Sequence, residues 1–215
     1  MAVIFQTARF ELDALMHSLA QYLSGRILDV GAGSYDRYSH YFKATDYVRL
    51  DIEQRAHVDL VGTAEAIPAP DASFDGIVCT QVLGDIFDVR VAVGEFRRVL
   101  KSGGRVILSE SLMDPLHDLP HDYWRFTSYG LEKLFTEQGF AILDSKKYGG
   151  YHSVLAQFRT RYWISRYHLM TAWYGRYVGF LLKLLNWFAL WRDAHDATAA
   201  NRAFAHGWVV VAQKK

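Results

Sequence analysis

Apolar residues change their spacing several times along the chain, and each change marks a predicted element. From residue 12 to residue 23 they recur every three or four positions, which predicts a helix that Gly25 ends. Short continuous apolar runs follow, and such runs between glycines or turn residues are typical of buried strands. We predict strands at 27–30, 47–50, 57–61, 76–79, 105–109, 139–143 and 207–212.

Helical spacing returns between these strands. One predicted helix of about 15 residues carries Val89, Phe96 and Leu100 on one face and ends at the basic, glycine-rich run 101–104. A second helix is predicted over 129–138. Short apolar strands that alternate with helices indicate an α/β fold, in which helices cover both faces of a mainly parallel sheet. An aromatic-rich helical insertion at 152–206 precedes the last strand, and we expect a single domain over 1–215.

The composition is that of a globular protein without disulfide bonds. Of the 215 residues, 51% are hydrophobic and 22% are charged, and the single cysteine, Cys79, excludes a disulfide scaffold and a cysteine-based zinc site. Because the net charge is only +1, we expect no nucleic-acid partner. The N-terminus lacks the basic start and apolar core of a secretory signal, so we expect a cytoplasmic protein.

A glycine pair after the first strand indicates a nucleotide-type site. Gly31 and Gly33 let the backbone approach a ligand closely, and a helix expected after them would present free N–H groups. Dinucleotide-binding loops need a third glycine, and Asp36 stands at that position here. Because its carboxylate would repel a pyrophosphate, an NAD(P)-type oxidoreductase is only an alternative interpretation.

Two aspartates accompany the glycine pair. Asp51 follows the second strand, where a carboxylate can accept hydrogen bonds from both ribose hydroxyls of an adenosine group. Asp29 lies inside the first strand, where a buried carboxylate is costly unless it is paired. We therefore expect Asp29 to face the ligand and to order the glycine loop. The alternatives are a capping role for Asp51 and a structural role for Asp29.

Five segments in order and at the usual separations resemble the class I S-adenosylmethionine (SAM)-dependent methyltransferases of the small bacterial type. They are Ile-Leu-Asp-Val-Gly-Ala-Gly at 27–33, Leu-Asp at 50–51, Ala-Glu-Ala-Ile-Pro at 64–68, Ser-Phe-Asp-Gly-Ile-Val at 73–78, and Phe-Arg-Arg-Val-Leu-Lys-Ser-Gly-Gly at 96–104. The resemblance covers roughly residues 25–145. It implies a Rossmann-like sheet of seven strands in the order 3-2-1-4-5-7-6, with only strand 7 antiparallel, and SAM as the cofactor.

The same resemblance implies which residues bind the cofactor. The glycine loop would contact the methionine portion, Asp51 the ribose, residues 63–65 the adenine, and the residues after strand 4 would form the floor of the pocket. The full predicted set is Asp29, Gly31, Ala32, Gly33, Asp51, Ile52, Thr63, Ala64, Glu65, Gln81 and Val82.

The chain departs from the family pattern at two places. Thr63 stands where many relatives have an aspartate that contacts the adenine amine. Relatives commonly read Val-Leu-Glu-His after strand 4, whereas this chain reads Val-Leu-Gly-Asp at 82–85. If that histidine serves catalysis in relatives, it cannot do so here. A non-catalytic SAM-binding protein of the same fold is therefore an alternative.

The loop at 120–127, Pro-His-Asp-Tyr-Trp-Arg-Phe-Thr, resembles a loop in a subset of these enzymes. His121 and Asp122 are the candidate bases for a hydroxyl proton, since histidine changes charge near neutral pH. The predicted substrate-binding residues are His117, Tyr123, Trp124 and Arg125. In the alternative, Trp124 and Phe126 anchor the loop while Asp122 pairs with Arg125. We expect in-line methyl transfer to a small-molecule or glycan acceptor, at oxygen, and no metal.

Aromatic residues make up 15% of the chain and concentrate in an acid-free segment. The 48 residues between Asp144 and Asp193 contain no Asp or Glu, several Lys and Arg, and four of the six tryptophans. This composition is typical of a helix that lies in a membrane surface, here through 159–192. A cap on the sheet or a homodimer interface is the alternative.

Overall fold

The computed structural model describes residues 4–215 and contains seven strands and six α-helices in that part of the chain. The strands are β1 Ser24–Val30, β2 Lys43–Asp51, β3 Leu60–Val61, β4 Phe74–Thr80, β5 Leu100–Ser111, β6 Phe140–Tyr148 and β7 Gly207–Lys214. The helices are α1 Thr7–Leu19, α2 Val89–Val99, α3 Ser128–Glu137, α4 Tyr151–Arg166, α5 Gly175–His195 and α6 Ala199–Arg202.

All seven strands form one sheet in the order β3-β2-β1-β4-β5-β7-β6. The pairs β1–β2, β1–β4, β2–β3 and β4–β5 are parallel. This order confirms the Rossmann-like seven-stranded mixed sheet that the resemblance implies. Residues 27–30 and 76–79 are almost completely buried, because central parallel strands are covered on both faces. Because β1, β2 and β4 are parallel, the loops that follow these three strands lie at one edge of the sheet.

Two predicted helix ends are wrong. Gly25 does not end a helix, because α1 stops at Leu19 and a 3₁₀ turn follows at Ala20–Tyr22. Gly25 instead lies in β1 with a φ of 83°, next to a shift in the register with β2. Likewise, α2 ends at Val99, and the run 101–104 belongs to β5. Its glycines and lysine resemble a helix stop, but they open a strand.

The helix expected after the glycine loop is absent from residues 31–42. This segment contains only the 3₁₀ turn Ser39–Tyr41. Asp36 organises the turn, since it accepts hydrogen bonds from the Ser39 N–H and hydroxyl and forms an ion pair with Arg49 on β2. The loop is therefore held by side-chain contacts, and it offers no helix N-terminus to a phosphate.

The chain divides into two compact units. The sheet unit comprises residues 16–112, 116–146 and 208–215, and the helical unit comprises 113–115, 147–207 and the described part of 1–15. The insertion predicted at 152–206 consists of α4, α5 and α6. The single-domain arrangement stays a prediction. No helix within residues 4–215 is long and apolar enough to cross a membrane.

Candidate active site

A cleft of about 810 Å³ opens in the sheet unit beside the ends of β1, β2 and β4. This volume lies within the usual range for small-molecule sites, roughly 300–1,000 Å³. Eleven of the predicted site residues line it, namely Gly31, Gly33, Asp51, Ile52, Thr63, Ala64, Glu65, Gln81, Val82, His121 and Tyr123. The cleft therefore brings together residues from the ends of five strands, β1 to β5, that the sequence assigns to cofactor and acceptor.

The glycine loop holds two left-handed backbone conformations, with φ values of 71° at Gly31 and 67° at Gly33. The N–H groups of Gly31 and Ala32 both donate to the Leu50 carbonyl, at 2.9 and 3.1 Å, and so tie the loop to β2. A Cβ on Gly31 would lie 2.3 Å from Cγ2 of Val82. A Cβ on Gly33 would have no heavy atom of the described chain within 4 Å. The first glycine is needed for packing, and the second faces open space in the cleft.

This difference predicts losses of stability of different size for two alanine variants. Gly31→Ala is expected to lower the free energy of unfolding by roughly 2–4 kcal/mol, because backbone strain adds to a clash with a branched side chain. Gly33→Ala is expected to cost only about 1 kcal/mol, because it adds strain without a clash. Urea denaturation measures both, and equal losses of stability would contradict the assignment.

Asp51 connects two loops beneath the cleft. Its buried carboxylate accepts hydrogen bonds from the Gly33 N–H at 2.8 Å and from the Glu53 N–H at 3.0 Å. An ionised carboxylate offers about four lone-pair sites, so these two bonds leave capacity for two further donors. The Asp51 carboxylate thus holds the two loops together and can still accept two hydrogen bonds, the number that a pair of ribose hydroxyls would donate.

Asp29 and Ala32 line a separate, smaller pocket of about 170 Å³, which Gly31 and Gly33 also border. The Tyr47 hydroxyl donates to Oδ2 of Asp29 at 2.9 Å, and burial raises the pKa of Asp29 to about 7. Tyr47 is thus the partner that the buried carboxylate requires. Whether Asp29 also orders the glycine loop stays a prediction.

Residues 63–65, which follow β3, also border the cleft. Thr63 pairs with Ala66 across a tight turn, and the Gly62 N–H donates to the Asp51 carbonyl at 3.0 Å. Ile52 is 69% exposed beside this turn, which is a high exposure for an apolar side chain in a cleft. An apolar side chain held open in this way fits the flat face of a heterocycle.

Glu110 supports the floor of the cleft, and the sequence analysis missed it. It is buried at the end of β5, where its Oε1 accepts the N–H groups of Val82 at 2.9 Å and Leu83 at 2.7 Å. Burial raises the pKa of Glu110 to about 7 against the opposing effect of these hydrogen bonds. A carboxylate at the end of an otherwise apolar strand, like Asp29, is the signal that could have identified it.

The raised pKa of Glu110 predicts a pH-dependent stability. Since the folded state holds this proton more tightly than the unfolded state, its contribution to stability is present below about pH 4.5 and is lost as the pH rises through 7. Glu110→Gln removes this titration. The difference in unfolding free energy, variant minus wild type, is expected to rise between pH 5 and 8 by on the order of 3 kcal/mol. Urea denaturation across that range measures it, and a difference independent of pH would contradict the assignment.

The loop after β5 brings His121 and Tyr123 into the cleft. Nδ1 of His121 and the Tyr123 hydroxyl lie 3.0 Å apart. Phe87 packs edge-on against the Tyr123 ring, with a centroid distance of 5.5 Å, and also lines the cleft. Of the two predicted bases, only His121 borders the space where a ligand would lie.

The other predicted residues of this loop lie outside the cleft lining and hold the loop in place. Asp122 has a fully buried side chain that pairs with Arg125, and it accepts the His117 N–H at 3.0 Å. The Arg125 guanidinium holds the pKa of Asp122 well below its usual range. Trp124 donates its indole N–H to the Ile86 carbonyl at 3.0 Å. The pairing and anchoring alternative is thus observed for Asp122, Arg125 and Trp124.

Gly84 and Asp85, the departure from the family pattern, take part in this loop contact. The Gly84 carbonyl accepts the N–H groups of Tyr123 at 2.9 Å and Trp124 at 3.0 Å. A Cβ on Gly84 would lie 3.3 Å from the Trp124 carbonyl oxygen, so a larger residue would crowd the loop. Glycine at this position therefore lets the loop that carries His121 approach the strand ends.

Asp85, His117 and Asp122 form a cluster of three side chains that could hold a metal ion. The two His117 nitrogens lie 3.7 Å from the Asp85 and Asp122 oxygens. The positive charge of Arg125 on Asp122 opposes a cation at this position. The absence of a metal stays a prediction.

Residues 28–108 match the protein family described as a methyltransferase domain. The chain is 36% identical over 111 residues to the uncharacterized methyltransferase YcgJ of Bacillus subtilis, covering 43% of this chain and 44% of that protein. It is 30% identical over 135 residues to the ubiquinone/menaquinone biosynthesis C-methyltransferase UbiE of Dinoroseobacter shibae. This match covers 53% of this chain and 54% of that protein. The chain thus spans about half the length of the curated relatives that it matches.

Solved structures share the fold over most of the chain. The [4+2]-cyclase SpnF has a TM-score of 0.62 at 20% identity, with 94% of this chain and 81% of that chain covered. Burkholderia thailandensis 1,6-didemethyltoxoflavin-N1-methyltransferase, solved with S-adenosylhomocysteine, has a TM-score of 0.59 at 15% identity, with 98% and 79% covered. Residues 28–108 are thus similar to a methyltransferase domain, and the solved structures share the fold of the chain.

Proposed function

We propose that this chain is a SAM-dependent methyltransferase that methylates a hydroxyl oxygen of a small-molecule or glycan acceptor. The observation that carries the proposal is the shared cleft. The glycine loop, Asp51 and the turn at 63–65 border the same space as His121 and Tyr123. The residues proposed to bind the cofactor and the candidate base thus border one continuous space, as direct transfer of a methyl group between two bound ligands requires.

The residues present fit SAM. Gly33 faces open space, Asp51 retains acceptor capacity for two hydroxyls, and Ile52 offers an apolar surface to a ring. When bound, SAM supplies a methyl group on a positively charged sulfur. The Phe87 and Tyr123 rings line the cleft and favour a cation by roughly 0.5–2 kcal/mol.

His121 is the group that would take the acceptor proton. A neutral histidine has one donor and one acceptor nitrogen. If Nδ1–H donates to the Tyr123 oxygen, then Nε2 is left as the acceptor for the hydroxyl proton. Tyr123 in this arrangement fixes the tautomer and the ring orientation, so it is a positioning residue. Asp122 is unsuited to the task, because its pairing with Arg125 makes it a very weak base.

Two observations bear on the alternative functions. The segment after the glycine loop contains no helix N-terminus for a pyrophosphate, which argues against an NAD(P)-type oxidoreductase. A structural neighbour with the same fold is named a [4+2]-cyclase, so the fold alone does not fix methyl transfer. The second candidate is therefore a SAM-binding protein that does not transfer methyl groups.

Calorimetry with SAM, S-adenosylhomocysteine and NAD separates these functions. We expect SAM and S-adenosylhomocysteine to bind and NAD not to bind, and NAD binding without SAM binding would overturn the proposal. Incubation with methyl-labelled SAM and a panel of glycans and hydroxylated small molecules then tests for transfer. Label that appears on nitrogen or carbon would contradict the oxygen assignment, and SAM binding with no transfer to any acceptor would favour the second candidate.

A further inference from the structure

The two long helices of the helical unit pack through mainly small and polar side chains. Thr160 on α4 donates its hydroxyl to Oδ1 of Asn186 at 3.1 Å, and Nδ2 of Asn186 donates to the Phe5 carbonyl at 3.0 Å. Small residues let helix backbones approach closely, and buried amides link helices without large apolar contacts. The buried positions are Ser153, Val154, Ala156, Gln157 and Thr160 on α4, and Gly175, Gly179, Leu182, Asn186 and Ala189 on α5.

The large apolar side chains of α5 lie on its opposite, exposed face. This apolar face consists of Tyr177, Phe180, Leu181, Leu184, Phe188 and Trp191, which are 53–62% exposed. Their spacing of three or four residues places them on one side of the helix. Helices of globular proteins normally bury such residues and expose the small and polar ones. The reversed arrangement indicates that the apolar face serves an interaction.

Basic residues flank this face, while the one acidic residue of α5, Asp193, lies on its other side and accepts the N–H groups of His152 and Ser153 at the start of α4. At 3.6 residues per turn, Arg176 and Lys183 lie along one edge of the apolar face and Arg192 along the other, and all three are exposed. The segment 145–192 contains eight Lys and Arg residues and no Asp or Glu. The partner that complements this face is therefore apolar at its centre and negatively charged at its edges.

From this arrangement we propose that the apolar face of α5 docks on the surface of an anionic lipid bilayer. The apolar side chains enter the boundary of the acyl chains, and Arg176, Lys183 and Arg192 contact lipid phosphates. Because no helix in residues 4–215 can cross a membrane, α5 lies along the surface. The proposal does not depend on methyl transfer.

A second copy of the chain is a poorer partner for this face. In a two-fold symmetric dimer the same surface meets itself. The basic residues of both copies would then come together, and the carboxylate of α5, Asp193, is already bound to the N–H groups of His152 and Ser153 on the other side of the helix. Like charges across an interface oppose association. Charge complementarity therefore favours the anionic bilayer.

Sedimentation of the full chain with lipid vesicles tests the proposal. We expect binding to vesicles of phosphatidylcholine mixed with phosphatidylserine, much weaker binding to phosphatidylcholine alone, and release by salt. Arg176→Gln with Lys183→Gln is expected to lower the partition coefficient about fivefold for each charge. Leu184→Ser with Phe188→Ser is expected to lower it at least about tenfold.

Tyr129→Ser with Lys133→Gln is the matched control. It removes an exposed aromatic residue and an exposed lysine from α3 of the sheet unit and is expected to leave vesicle binding unchanged. The proposal is overturned if the wild type does not bind the mixed vesicles or binds both vesicle types equally. It is also overturned if neither α5 variant affects binding. A wild-type dimer that Leu184→Ser with Phe188→Ser converts to a monomer without any vesicle binding would overturn it too, since that result identifies a contact between copies.

Discussion

Replacing His121 by glutamine is expected to lower kcat about 10²–10⁴-fold while the affinity for SAM stays unchanged. General-base catalysis contributes this factor, and glutamine keeps a polar side chain of similar length but cannot take a proton near neutral pH. His121 borders the cleft, and its hydrogen bond and ring contact are both to Tyr123, which lies neither in the glycine loop nor at Asp51, so cofactor binding should not depend on the His121 side chain. Steady-state kinetics and calorimetry measure the two effects separately.

Two further variants sharpen this expectation. His40→Gln alters an exposed histidine of the sheet unit that is not among the cleft-lining residues, and it should leave kcat unchanged. Tyr123→Phe removes the hydroxyl that fixes the His121 tautomer, so it should lower kcat less than His121→Gln and leave the acidic limb of the pH–rate profile in place. If His121→Gln retains full kcat, the base is another group. If it weakens SAM binding as much as it lowers kcat, its role is structural.

The sheet was predictable because its central strands are buried on both faces and therefore form continuous apolar runs. The predictions at 27–30 and 76–79 fall inside β1 and β4 for this reason. The ends of helices, predicted from glycine and basic residues alone, were less reliable. Gly25 and the run 101–104 have the composition of helix ends, yet both lie within strands, each at a shift in the register with the neighbouring strand. The missing helix after Gly33 has the same cause, since contacts of Asp36 with a neighbouring strand decide the loop.

The lining of the cleft was predictable where a local motif or the family resemblance pointed to it. Gly31 and Asp51 were assigned from their place after a strand and residues 63–65 from the resemblance, and all of them border one cleft. Partners separated along the chain were not predictable. Contacts such as Tyr47 with Asp29 and Val82 with Glu110 depend on which strands are neighbours and in what register. The sequence identified Asp29 as a buried carboxylate but not its partner Tyr47, and it did not identify Glu110 or the bond from Val82 to it.

The second large effect is expected at Asp51. Asp51→Ala should weaken SAM binding at least about 100-fold in calorimetry, since two hydrogen bonds to a charged acceptor contribute ~1.5–3 kcal/mol each. Asp51→Asn keeps an acceptor oxygen for the Gly33 N–H but loses the charge and half of the acceptor capacity. Its affinity should therefore fall between those of the wild type and Asp51→Ala.

Asp46→Ala is the matched control, because Asp46 lies on the same strand but pairs with Arg26 at an exposed position and is not among the cleft-lining residues. It should bind SAM as the wild type does. Thermal unfolding separates a lost ligand contact from a collapsed loop, since both Asp51 variants also lose or weaken the bond to Gly33. If Asp51→Asn keeps the wild-type unfolding midpoint but binds SAM weakly, the carboxylate contacts the ligand directly. If both Asp51 variants bind SAM with wild-type affinity, the ribose assignment is wrong, and Asp51 acts only as the link between the loops that follow β1 and β2.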